Sequence, residues 1–255
     1  MTTSTGSDLS FDPDRAVTTA DVPPVVAELA GGAPIRWIWA NGVGGRTYRL
    51  DRGERTEYLK WAPDHEEIDL GLEADKLRWA SAWTRVPEVL GHGRDSATSA
   101  WLHTVGIPAQ SAIAPRWKAD PLTAARAIGA GLRALHDQLP VAHCPWSWRI
   151  ADRTPMIKKP EDTMLIDQAP PEDDLVVCHG DACSPNTLIG ADGRCAGHVD
   201  LGSLGVGDRW ADLAIATYSQ TWNFDPAHED QLLDAYGIAR DDDRITYYRR
   251  LWDAT

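Results

Sequence analysis

The stretch Leu175-Val-Val-Cys-His179-Gly-Asp181-Ala-Cys-Ser-Pro-Asn186, followed by Gly197-His-Val-Asp200-Leu-Gly202, decides how this chain is read. An apolar run leads into a loop that carries a carboxylate and, five residues on, a carboxamide. A second apolar run then ends at another carboxylate. Short apolar runs bounded by turn residues read as buried strands, which puts both groups at strand ends. This is a minimal set for moving a phosphoryl group, a reaction run mainly by positioning and by metal ions. Mg²⁺ is a hard cation that takes oxygen ligands and keeps several of its waters. Asn186, through its side-chain oxygen, and Asp200 are the candidate metal ligands, and Asp181 is the candidate catalytic base for an incoming hydroxyl.

The phrase from His179 to Asn186, with Val199-Asp200-Leu-Gly202 and Gly207-Asp208-Arg209-Trp-Ala-Asp212-Leu-Ala, resembles the aminoglycoside O-phosphotransferase family. Leu132-Arg-Ala-Leu-His136, Cys144-Pro145 and Tyr247-Tyr248-Arg-Arg-Leu251 read the same way, so the resemblance runs from about Leu122 to the C-terminus and is looser before it. The 3'- and 3''-phosphotransferase branches are the most similar. The resemblance implies an α+β, two-lobed protein-kinase-like fold. Its small lobe is an antiparallel β-sheet with one main helix, and its mostly helical lobe carries the catalytic loop. It implies ATP and Mg²⁺ as cofactors and a cationic antibiotic as substrate.

A different chemistry uses some of the same residues. His179, Asp181, His198 and Asp200 form two His-x-Asp units, a pattern for a metal-dependent hydrolase. That reading leaves Asn186 idle and finds no further ligands at metal-site spacing.

The 255 residues, 43% of them hydrophobic, suffice for a substantial core in one large domain or two lobes. No segment approaches the apolar length of a membrane span, and Met1-Thr-Thr-Ser-Thr-Gly lacks the basic start of a signal peptide, so a cytoplasmic location is expected. Cys144, Cys178, Cys183 and Cys195 form no Cys-x-x-Cys pair and read as reduced thiols. A net charge of −13 argues against a nucleic-acid partner, since phosphate backbones demand Lys and Arg. It suits a cationic small molecule and equally suits plain solubility.

Along the chain, residues 1–20 read as a loose polar tail, 21–105 as a nucleotide-binding lobe and 106–255 as a catalytic and substrate-binding lobe. Asp21 is a candidate cap for a short helix through Ala30. Ile35–Ala40, Thr47–Leu50 and Thr56–Trp61 read as consecutive strands. The glycine turn between the first two offers Gly42 and Gly44 as a place where backbone amides approach phosphates, or simply as a hairpin turn. Lys60 ends a strand where the resembled family places a lysine on the α- and β-phosphates. A helix from about Glu66 to Trp83 carries Leu70, Ala74 and Leu77 on one stripe with Glu73 at its edge. The resemblance names Lys60 as the partner of Glu73, while pairing with Lys76 is the alternative. Ala100–Val105 reads as the last strand of the small lobe. Gly106-Ile107-Pro108 reads as the crossing, where Val105 and Ile107 would meet the adenine edge.

Pro121–Leu139 repeats apolar residues at three- and four-residue steps and reads as a buried helix. His136 on it, and His179 in the loop, are assigned structural roles, and Asp212 is expected to cap its helix or tie it to the loop. On the acceptor side the candidates are Ser184, Trp222 and Asp253, alongside Asp181. Compared with 3'-type enzymes, Trp146 to Asp174 is short, Ser203 stands where Arg is usual, and the chain ends Leu251-Trp-Asp253-Ala-Thr255. These departures favour a streptomycin-like 3'' acceptor slightly over a kanamycin-like 3' one. A kinase of another small alcohol (homoserine, choline or a sugar) and a silent nucleotide-binding protein are the alternatives.

Overall fold

The computed structural model describes Val17 and residues 22–255; the polar tail and the Asp21 cap fall outside these. The chain divides into two compact units. One joins the residues up to Arg78 with Pro87–Gly106, and the other joins Trp79–Val86 with Ile107–Thr255. Among the described residues no helix is long and apolar enough to cross a membrane.

The first unit runs α1 (Pro24–Ala30), β1 (Ile35–Ala40), β2 (Arg46–Arg52), β3 (Arg55–Pro63), α2 (Leu70–Ala80), β4 (Glu88–Ser96) and β5 (Ser99–Val105). Its five strands are antiparallel in the order β1-β2-β3-β5-β4. Strand alternation turns Tyr48, Leu50 and Leu59 to one face, where they pack with Val26, Ala30 and Ile35 in a small core. Helix α1 starts with Pro24 after Pro23 and ends on Gly31 in the left-handed region, a conformation glycine enters without a Cβ penalty. α2 is shorter than its periodicity suggested, and its stripe of Leu70, Ala74 and Leu77 is buried.

Strand β4 is absent from the sequence reading because Gly91, Gly93 and the charges at Arg94 and Asp95 argue against a strand. The indole of Trp101 on β5 resolves this. A Cβ at Gly91 would lie 3.3 Å from that ring and one at Gly93 3.2 Å from it, so the glycines let the strand lie flat beneath it. β5 is therefore interior to the sheet, between β3 and β4.

The second unit contains β6 (Gln110–Ser111), α3 (Pro115–Lys118), α4 (Pro121–Gln138), α5 (Ile150–Arg153), β7 (Leu175–Cys178), β8 (Thr187–Ile189), β9 (Cys195–His198), β10 (Gly205–Asp208), α6 (Trp210–Asn223), α7 (Glu229–Tyr236) and α8 (Asp242–Ala254). Asp120 caps α4 by accepting from the amide of Thr123, and the helix buries Ile128, Leu132 and Leu135. α6 is buried from Trp210 to Thr217 and forms the axis of the unit's interior. Gly129 sets how closely α7 lies on α4, since a Cβ there would stand 2.0 Å from the carbonyl oxygen of Leu232. The α+β class expected from the sequence is the one observed.

Candidate active site

Two short antiparallel pairings fix the loop geometry. β7 pairs with β10, and β8 pairs with β9 so that Thr187 faces His198. The loop between β7 and β8 carries Asp181 and Asn186, and the turn after β9 carries Asp200. The amide of Val199 donates to the carbonyl of Asn186 at 3.0 Å, which brings these two segments side by side.

Asn186 points its amide nitrogen at Asp181, donating to the backbone oxygen at 3.0 Å and to Oδ2 at 3.1 Å. A planar carboxamide directs its oxygen away from its nitrogen, so Asn186 Oδ1 faces away from Asp181. One oxygen of Asp181 is thus committed, while Oδ1 is buried and takes no hydrogen bond. Burial raises the Asp181 carboxyl above its ordinary range, and the like charge of Asp200 adds to this; the Cys183 thiol, His179 and Asn186 pull the other way. A raised carboxyl is a stronger base.

Asp200 adopts φ 64°, ψ 53°, the one positive-φ residue other than glycine among the described residues. A non-glycine residue there stores strain that surrounding contacts must hold, as happens at functional sites. His179 braces the backbone next to both carboxylates. Its ring lies 2.9 Å from the carbonyl of Val199 through Nε2, while Nδ1 accepts from the Asp181 amide at 3.3 Å. Gly180, at φ 83°, admits no side chain, because a Cβ would fall 2.1 Å from the carbonyl oxygen of Ser203.

The support beneath the loop is Asp212. It is fully buried and accepts from the amides of His179 at 2.6 Å and Gly180 at 2.9 Å, and His136 Nε2 lies 2.9 Å from its Oδ2. Burial would raise its carboxyl, but His136, His179 and the Gly180 amide together outweigh it and hold the carboxyl below the ordinary value. Asp212 therefore ties α6 to the loop, and the helix-cap alternative is not realised. His136 also meets Tyr236 through Nδ1 at 2.8 Å. Nothing in the spacing of Tyr236 pointed to this contact, which depends on the α4–α7 packing at Gly129.

The two His-x-Asp units do not form a metal cluster. Among the described residues no group of three or more His, Cys, Asp and Glu is arranged to hold an ion. His198 packs edge-on against His179, and burial, with the nearby His179, depresses its ring to about 3, leaving it neutral.

In the first unit, Lys60 Nζ lies 2.7 Å from Glu73 Oε1, with Glu73 buried and Lys60 partly exposed. The glycine segment between β1 and β2 is a hairpin turn. Asn41 Oδ1 accepts from the amides of Val43 at 3.2 Å and Gly45 at 2.6 Å, and its carbonyl accepts from Gly44 at 3.4 Å. An Asn side chain at the start of a turn substitutes for a backbone acceptor, so the segment holding Gly42 and Gly44 closes on itself. At the crossing, Val105 sits in the sheet opposite Glu57 and Glu88, and the carbonyl of Ile107 accepts from the amide of Ala109 at 2.8 Å.

The acceptor-side candidates separate. Ser184 is fully buried; its amide donates to Ser219 and its hydroxyl accepts from Gln220. It anchors the loop to α6. Trp222 is 49% exposed on α6, with its ring 4.3 Å from Tyr218 and 6.0 Å from Trp252. Asp253 is exposed on α8, and partial burial raises its carboxyl while Lys159 opposes this.

A self-braced loop carrying Asp181 and Asn186, with Asp200 beside it on this α+β framework, is the arrangement of a phosphotransferase of kinase-like fold. Residues 152–251 match the phosphotransferase enzyme family. The aminoglycoside 3'-phosphotransferase of Streptomyces fradiae is 33% identical over 222 residues, spanning 74% of this chain and 81% of that one. The streptomycin 3''-kinase of Streptomyces griseus is 29% identical over 255 residues, spanning 82% and 92%. Among solved structures, an aminoglycoside-3'-phosphotransferase of type VIII superposes with a TM-score of 0.73 at 28% identity, over 91% of this chain and 97% of that one. The chain belongs to the aminoglycoside phosphotransferase family.

Proposed function

We propose that this enzyme transfers the γ-phosphoryl group of ATP to a hydroxyl of an aminoglycoside antibiotic, the 3''-hydroxyl of a streptomycin-like compound being favoured, and so inactivates it. The observation that carries the reading is the state of Asp181: Asn186 holds Oδ2, and burial beside a second carboxylate raises the carboxyl, which makes it a stronger base. Asp181 Oδ1 accepts the proton of the antibiotic hydroxyl as its oxygen forms a bond to the γ-phosphorus. The bond from that phosphorus to the β–γ bridging oxygen breaks, and ADP leaves. Asn186 Oδ1 and the Asp200 carboxylate are hard oxygen donors that fit Mg²⁺; when bound, the ion neutralises phosphate charge.

Lys60, steadied by Glu73, takes the α- and β-phosphates. Residues 21–105 serve as the nucleotide lobe and 106–255 as the catalytic and substrate lobe. The turn holding Gly42 and Gly44 would have to exchange Asn41 Oδ1 for a phosphate oxygen in order to contribute. Backbone groups at Val105 and Ile107 are proposed at the adenine edge, and Trp222 and Asp253 on the acceptor side, where an exposed indole and a carboxylate suit a polycationic sugar. The net charge of −13 favours the approach of such a cation. A cytoplasmic site of action, where ATP is plentiful, belongs to the same proposal.

The 3'' preference is supported by the short Trp146–Asp174 segment and Ser203, and by the Streptomyces griseus relative named a streptomycin 3''-kinase. A structure of aminoglycoside phosphotransferase APH(3'')-Id from Streptomyces rimosus in complex with ADP and streptomycin superposes with a TM-score of 0.67 at 27% identity. A 3' acceptor is the second reading, favoured by the 33% identity to the Streptomyces fradiae enzyme. ADP release by purified protein with Mg²⁺, measured in parallel with streptomycin, kanamycin, neomycin and hygromycin, separates them. Turnover of streptomycin alone supports the 3'' reading and turnover of kanamycin or neomycin the 3' one. No turnover of any sinks the antibiotic assignment.

A further inference from the structure

We propose that Tyr236, at the end of α7, is a positioning residue for the catalytic loop: its hydroxyl donates to His136 Nδ1 and so holds His136 in the one tautomer that can support Asp212. The inference rests on the phosphotransferase reading of the loop and adds a residue to it. His136 is buried between two partners, with Asp212 Oδ2 2.9 Å from Nε2 and Tyr236 Oη 2.8 Å from Nδ1. Asp212 is held in its charged form, and a carboxylate only accepts, so the proton between it and His136 resides on Nε2. With a neutral ring Nδ1 is then an acceptor and the hydroxyl facing it donates, whereas a charged ring would reverse that bond. Burial raises the Tyr236 phenol, against the pull of Arg209 and Arg133, so its proton stays in place.

The chain from this hydroxyl to the loop is short. Asp212 Oδ2, which pairs with His136, also accepts from the His179 amide, and Oδ1 accepts from the Gly180 amide. Those two amides immediately precede Asp181. A wrong tautomer would set an N-H-free nitrogen against Asp212 Oδ2 and leave the carboxylate oxygen that holds the His179 amide short of a partner. The backbone that allows the contact is specific. Gly129 and His136 lie seven residues apart on α4, two turns along one face, and the absent side chain at Gly129 admits the backbone of α7 at Leu232. The tyrosine ring meets His136 edge-on, with centroids 5.5 Å apart at 72°, so a phenylalanine keeps the packing and removes only the hydroxyl.

The test uses the full chain labelled with ¹⁵N-histidine, as wild type and as Tyr236→Phe. In the wild type, long-range ¹H–¹⁵N spectra should show His136 with Nε2 protonated and Nδ1 as an unprotonated acceptor. In Tyr236→Phe the Nδ1 signal should move away from that value, and the amides of His179 and Gly180 should exchange faster. With an accepted antibiotic, kcat should fall about 5- to 10-fold while KM for the nucleotide stays within about twofold, the cost of one lost hydrogen bond felt at the base and not in nucleotide binding. A protonated Nδ1 in the wild type overturns the proposal, and so does a variant whose tautomer, amide exchange and kcat all match wild type. The wild-type spectrum decides even if the variant does not fold. The spectra and the exchange need no acceptor. Failure of every antibiotic to turn over would therefore sink the proposed activity and leave the positioning claim to these two readouts.

Discussion

Asp212→Asn removes a charge from the interior of the second unit with almost no change of volume. The carboxylate accepts from two loop amides and from His136, all in buried surroundings. A carboxamide offers one acceptor oxygen and turns an NH₂ group against a donor, so at least one of these N–H groups loses its partner. Hydrogen bonds to a charged group contribute about 1.5–3 kcal/mol each, and breaking a buried charged network costs about 3–5 kcal/mol. At neutral pH the loss should therefore be about 3–5 kcal/mol, a fall of about 6–20 °C in melting temperature for a chain of this size. The sign of the pH dependence follows from the direction of the shift. Burial raises the Asp212 carboxyl, but His136, His179 and the Gly180 amide together hold it below its ordinary value. Its contribution is thus complete above the ordinary Asp value of about 3.9 and disappears as pH falls through the lower folded value. Thermal unfolding by circular dichroism, from neutral pH down to the lowest pH at which the wild type still folds, measures both. The wild type and variant should differ most near neutrality and converge below about pH 4. A difference under about 1 kcal/mol near neutrality, or one that persists undiminished in acid, would refute the reasoning.

Asp181→Ala should lower kcat by about 10²–10⁴-fold, the usual contribution of a general base, with nucleotide affinity changed little; calorimetric titration with ATP alongside steady-state rates checks both. Breaking the Lys60–Glu73 pair with Glu73→Gln should raise KM for ATP more than it lowers kcat, and equal kinetics would remove the pair from nucleotide binding. His198, depressed to about 3 by burial, stays neutral in the fold while the unfolded ring takes a proton below about 6.5. Its share of stability is complete above that pH and is lost in acid at up to about 1.4 kcal/mol per pH unit, so His198→Gln should flatten stability between about pH 6 and 4. An acid limb as steep in the variant as in the wild type would show that His198 takes a proton inside the fold.

Much of this was legible because local signals agreed. The run Pro121–Gln138 carries its helix period, Ile35–Ala40 reads as a strand from its Ile and Trp content despite a register shift between Trp37 and Trp39, and the order His179, Asp181, Asn186, Asp200 fits two strand ends. The inward edge of α2 already required a partner for Glu73, and Lys60 is beside it. What escaped depends on contacts distant in sequence. β4 is a strand through its pairing with β5 from Glu88 to Ser96, where the indole of Trp101 lies over Gly91 and Gly93. Ser184 turned inward because Ser219 and Gln220 of α6 take up its polar groups. Asn41 closes the glycine turn by a side-chain oxygen that composition alone leaves free to point elsewhere. Tyr236 reaches His136 across 100 residues of chain.

The central claim is that Asp181 delivers a phosphoryl group to an aminoglycoside hydroxyl. Its most direct test is mass spectrometry of streptomycin and kanamycin after incubation with the enzyme, ATP and Mg²⁺, with NMR locating any phosphate and Asp181→Ala as the control. The account predicts one phosphoryl group added at a single hydroxyl, the 3'' position of streptomycin first, and no addition by the variant. Unmodified antibiotics with the wild-type enzyme, or equal modification by Asp181→Ala, would contradict it.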